Sequence, residues 1–123
     1  MNTNFSNKNI LEINTNGIES VKGKYLEKIG EHSINGIPLE KANKLFLFVI
    51  EDFKKGILSP DELSSFGFDI FHGVAKLNPK SDLFQASLSA SDLRFEIRTK
   101  GERIPQCLED INKFYEKNKL TLL

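Results

Sequence analysis

The chain has one cysteine, Cys107, and no tryptophan among its 123 residues. A single cysteine cannot close a disulfide within the chain, so the domain must stand on its apolar core. It also lacks an excess of charge. Seventeen Lys and Arg balance seventeen Asp and Glu, for a formal net charge of zero. That excludes a strongly basic nucleic-acid binder and a polybasic membrane-surface protein. The longest apolar run, Leu45 to Ile50, is far shorter than a bilayer span. The first residues carry no basic start followed by a sustained apolar stretch, so a secretory signal is not expected and a reducing cytoplasm is the expected location.

Motifs that announce chemistry are missing as well. Gly17 and Gly23-Lys24 approach a phosphate-binding loop, but the spacing is one residue too long, and Tyr25 stands where Ser or Thr would ligate magnesium. Neither G-x-G-x-x-G nor G-x-S-x-G occurs. His32, His72 and Cys107 lie far apart in no ligand-like spacing, so no metal, no cofactor and no enzymatic activity are expected. His72 is the best acid or base available to an enzyme whose site assembles from distant residues.

What is present is helical patterning. Residues 1–16 include six Asn and little apolar periodicity, which suggests a flexible arm ahead of a single domain over 17–123. Ile18, Val21, Tyr25 and Ile29 fall on one helical face, in a segment ending near Ser33 to Gly36. Pro38 opens a second helix striped by Leu39, Ala42, Phe46, Val49, Ile50 and Phe53, widened by Leu45 and Leu47, and ended by Gly56. Ser59-Pro60-Asp61-Glu62 is a capping-box start. Leu63, Phe66, Ile70, Val74 and Leu77 line the helix it begins, with Asn78-Pro79 as the stop. Pro105 opens a last helix with Leu108, Ile111 and Tyr115 inward and Cys107 near the buried edge, followed by a tail at Leu120, Leu122 and Leu123.

Residues 83–99 read two ways. Leu93, Phe95 and Ile97 alternate with Arg94, Glu96 and Arg98, and Phe84, Ala86 and Leu88 alternate too, which allows a β-hairpin turning near Ala90-Ser91. Ser89 and Asp92 resemble a helix start instead. The expected fold is mainly α, a single-domain antiparallel bundle of about four to five helices, with that hairpin as a local alternative.

Two surface features stand out. Residues 56–75 carry Asp61, Glu62 and Asp69 and no Lys or Arg, with Glu51 and Asp52 just upstream. This is either the polar side of a capped helix or an acidic patch for a basic partner. On a helical wheel Phe48 lies opposite the main stripe among Lys41, Lys44, Asp52 and Lys55, and Phe68 lies off the face of Leu63, Ile70 and Val74. Each is either covered by another helix or an interface anchor.

The run Phe48-Val-Ile-Glu-Asp-Phe-Lys-Lys-Gly-Ile-Leu-Ser-Pro-Asp-Glu-Leu63 resembles a stretch of colicin-D-type immunity proteins and related immunity proteins of contact-dependent inhibition systems. The matching positions are Ile50, Phe53, Gly56, Ile57, Ser59, Glu62 and Leu63, within a resemblance spanning about residues 45–71. Ser89-Ala-Ser-Asp-Leu-Arg94 is similar to a later Leu-Arg helix of that family. The resemblance implies a four-helix antiparallel bundle that binds a cognate toxin, a basic transfer-RNA nuclease, and blocks it without catalysis. It implies that Glu51, Asp52, Asp61, Glu62 and Asp69 would stand where substrate phosphates go; the wheel positions of Phe48 and Phe68 make them the candidate anchors beside these carboxylates. No direct contact with nucleic acid or membrane is expected. The rival from the residues alone is a helical adaptor binding a protein through the Phe48 and Phe68 faces.

Overall fold

A computed structural model describes residues 18–74 and 77–122. The expected arm at 1–16, Lys76 and Leu123 lie outside the described residues. Five helices follow one another: α1 (18–28), α2 (Leu39–Lys54), α3 (Pro60–Gly73), α4 (Asp82–Arg98) and α5 (Ile104–Asn118), with a 3-10 turn at Lys119–Leu122. No strand occurs among the described residues.

Residues 83–99 take the helical reading and not the hairpin alternative: α4 runs unbroken to Arg98, with Thr99 as its cap. Its start is Ser81, whose Oγ accepts from the Phe84 amide at 3.1 Å, and Ser89 and Asp92 sit in its interior. The period was masked because α4 is apolar on two sides. Leu83, Ala86, Ala90 and Leu93 are buried inward. Phe84, Leu88 and Phe95 recur on the opposite face at helical spacing.

Other boundaries shift less. Pro38 is the residue before α2, and its extended backbone leads into the first turn. Gly56 (φ 79°) ends the α2 corner in the left-handed region that glycine tolerates best. The α3 helix stops at Gly73, ahead of Asn78-Pro79, and Val74 leaves it extended and buried. In α5 it is Cys107, Ile111 and Phe114 that are buried, whereas Leu108 is exposed.

The α2 helix is the centre of the core. Ala42, Leu45, Phe46, Leu47 and Val49 are fully buried, so its sides are covered by several neighbours. Burying each large side chain stabilises the fold by roughly 1.5–3 kcal/mol. Phe46 meets Phe114 of α5 at 5.7 Å, and Tyr25 of α1 stands edge-on to Phe66 of α3 at 5.3 Å. The α3 and α4 helices pack with small residues between them. A Cβ on Gly67 would stand 2.6 Å from the Ala90 Cβ, and Ser64 Oγ donates to the Ser91 carbonyl at 2.8 Å.

Candidate functional site

The α2–α3 corner carries the carboxylates that the sequence grouped. Each of the five has a partner within the chain. Glu62 closes the capping box: its Oε1 accepts from the Ser59 amide at 2.8 Å, and Ser59 Oγ accepts from the Glu62 amide at 3.1 Å. Asp52 accepts from the Tyr25 hydroxyl, while its carbonyl accepts from the Ile57 amide at 2.9 Å. Glu51 lies 3.4 Å from both Lys55 Nζ and the Tyr115 hydroxyl. Asp69 pairs with Lys22 of α1 at 2.7 Å. Asp61 faces Arg98 of α4 at 3.4 Å and keeps its side chain 58% exposed.

The field of these carboxylates is therefore divided among separate contacts. The segment 56–75 has no local cation, but α1 and α4 bring Lys22 and Arg98 to it. Asp61 is the one of the five with both high exposure and only a loose pairing. Glu51, Asp52 and Glu62 hold the corner and its neighbours together.

The two aromatics separate in the same way. Phe48 is partly buried against the core, with Lys28 of α1 over its ring at 5.1 Å, so α1 covers it. Phe68 remains 50% exposed and stacks on His72 at 4.3 Å.

Phe68 and His72 stand on the wall of a cleft of about 400 Å³ between α1, the segment after it, and α3. Its other polar groups are Glu19 and Lys22 from α1, His32, Ser33 and Asn35 from the connection, and Asp69 from α3. Both histidines, 40 positions apart in sequence, thus reach one cleft. Among the described residues no group of three or more His, Cys, Asp or Glu is placed to hold a metal ion. Cys107 is fully buried in α5 and away from the cleft, and burial pushes its thiol pKa up. The cleft is open to solvent on one side and offers an aromatic edge, two imidazoles and one shielded ion pair. That suits holding a polar side chain next to an aromatic anchor.

Sequence reasoning also missed Phe95, which is 65% exposed on the outer face of α4. Its alternation with Leu93 and Ile97 resembled a strand. The signal that would have found it is the spacing of Phe84, Leu88 and Phe95 at four and seven residues. Neither protein-family models nor curated proteins nor solved structures yield a match to this chain.

Proposed function

We propose that this chain is a non-catalytic protein-binding domain: an immunity-type inhibitor that occludes the basic active site of a cognate bacterial nuclease toxin. The observation that carries it is the pairing of Asp61 and Phe68 on the outer face of α3. They are seven residues apart, hence about 10 Å along the helix, and both are at least half exposed. A carboxylate with a loosely held cation, next to an aromatic anchor, suits a basic cleft lined with apolar walls. The resemblance over 45–71 supplies the partner class. The acidic contribution narrows from five residues to Asp61, with Asp69 beside it if Lys22 is displaced. The adaptor reading uses the same Phe68 face and differs only in its partner.

Protection in cells tests this. The chain is co-expressed with the C-terminal domain of a cognate nuclease toxin, sought first in the reading frame immediately upstream, and plating efficiency is scored. Asp61→Lys with Phe68→Ala is expected to reduce protection at least tenfold while the far-ultraviolet circular dichroism stays helical. Full protection by that variant, or none by the parent chain, overturns the reading.

A second reading follows from the convergence of His32 and His72 on one cleft. There the cleft is a small catalytic site with His72 as acid or base. Turnover of simple phosphate or acyl esters that disappears in His72→Ala would support it, and absence of turnover by the parent chain would end it.

A further inference from the structure

Two stripes form the outer face of the α3–α4 hairpin. On α3 they are Asp61, Ser65, Phe68 and His72; on α4, Phe84, Leu88, Ser91 and Phe95. Both follow the four-three-four spacing of a helix seam. Contacts across the hairpin fix their levels. Asp61 meets Arg98, Ser64 bonds to the Ser91 carbonyl, and the Phe71 and Phe84 rings lie 4.9 Å apart. The face mixes aromatic and aliphatic side chains with two serines and an imidazole, and the carboxylate at its end, Asp61, is offset by Arg98. Phe68 and Phe95 stay 50% and 65% exposed on it.

We propose that this face binds a second copy of the chain in an antiparallel, two-fold dimer. The stripes are self-complementary under a two-fold axis perpendicular to the helices. That axis lays α4 on α4 and α3 on α3. Leu88 then meets Ser91 of the second copy, and Ser65 meets Phe68 of the second copy, so Leu88 and Phe68 each enter a gap left by a serine. Phe95 reaches Phe84 of the second copy, an aromatic pair at each end. Asp61 comes opposite His72 of the second copy. Each stripe spans about 16 Å, and two helices side by side offer on the order of 500 Å² per copy. That is the low end of specific interfaces, so the dimer is weak and concentration-dependent.

This inference is separate from the immunity reading, because it rests on α4 side chains that reading does not use and needs no partner for its test. Since Phe68 belongs to both, a docked partner would displace the second copy. Sedimentation velocity of the full chain from about 10 µM to about 1 mM covers the range expected of a weak interface. The parent chain is expected to shift from monomer to dimer across it. Phe95→Asp and, separately, Ser65→Arg are expected to raise the dissociation constant at least tenfold with the helical circular dichroism retained. Leu108→Asp, on the α2–α5 side, is expected to leave it unchanged. A monomer at every concentration overturns the proposal. So does a dimer that survives Phe95→Asp and Ser65→Arg, or one lost on Leu108→Asp alone.

Discussion

The Tyr25 hydroxyl donates to the Asp52 carboxylate, tying α1 to the last turn of α2 while the Tyr25 ring packs edge-on against Phe66. Burial raises the Tyr25 pKa, and the bond to Asp52 raises it further, because an ionised phenolate would face a carboxylate. The unfolded chain releases this proton near the ordinary value of 10.0, and the folded chain holds it to higher pH. The stabilisation is therefore complete below that ordinary value and is lost as pH rises through the raised folded value. Tyr25→Phe removes the titrating group and leaves Asp52 without its donor. Urea denaturation should place the variant about 1–2 kcal/mol below the parent chain at neutral pH. The gap should begin to narrow near pH 10.0, where the unfolded chain ionises, and keep narrowing as pH rises toward the raised folded value. Parallel stability curves would contradict this account.

The Ser59–Glu62 cap makes a second prediction. Ser59→Ala deletes the acceptor of the Glu62 amide and should cost about 1 kcal/mol, read as a lower urea midpoint with an unchanged slope. Glu62→Lys loses the reciprocal bond to the Ser59 amide and also puts a cation at the positive end of the α3 dipole. It should be at least as destabilising. Glu62 is consequently a poor probe of partner binding: a loss of protection in Glu62→Lys would mix folding with recognition. Asp61, one position earlier and more exposed, takes no part in the capping box, so its Lys variant carries the dipole penalty alone and confounds the two less.

Cys107 offers a chemical test of the α4–α5 packing. Its side chain has no solvent exposure, and burial raises its thiol pKa, so the reactive thiolate is scarce in the folded chain. A disulfide reagent at neutral pH should label the denatured chain within its mixing time and the native chain only as fast as the helices open. Rapid native labelling would mean that the α4–α5 contact is open much of the time.

Helices α2, α3 and α5 were legible because each carries one dominant apolar stripe and a local start signal: Pro38, the Ser59 box and Pro105. The α4 helix was legible only as one of two readings, because a second apolar face cancels the period, and strand alternation fits Leu93, Phe95 and Ile97 equally well. The candidate site was legible only in part. Phe68 is exposed as one of its two readings required, whereas Phe48 is covered by Lys28 and α1. The acidic grouping followed sequence neighbours, but charge is balanced in space. Lys22 reaches Asp69 from α1, and Arg98 reaches Asp61 from α4. The His32–His72 cleft exists only where α1 and its connection meet α3, and no local pattern encodes that meeting.

Two glycines in helices make opposite predictions. Gly67 lies where α3 crosses α4, and a Cβ there would stand 2.6 Å from the Ala90 Cβ, 2.8 Å from the Ser87 carbonyl oxygen and 2.8 Å from the Ser91 amide nitrogen. Two of these are backbone atoms of α4, so no rotamer change relieves them. Gly67→Ala must push the helices apart, loosening the Ser64–Ser91 bond and the core beneath it, at a cost of about 2 kcal/mol or more. Gly23 also lies within a helix, α1, but nothing comes within 4 Å of a Cβ placed on it. There the methyl group only restricts the unfolded chain and improves helix propensity, so Gly23→Ala should stabilise by about 0.5–1 kcal/mol. Urea midpoints of both variants, measured side by side, check the α3–α4 packing directly. If Gly67→Ala proves as harmless as Gly23→Ala, the two helices do not approach as closely as the Gly67–Ala90 contact requires, and the outer face built on their alignment would be misplaced with them.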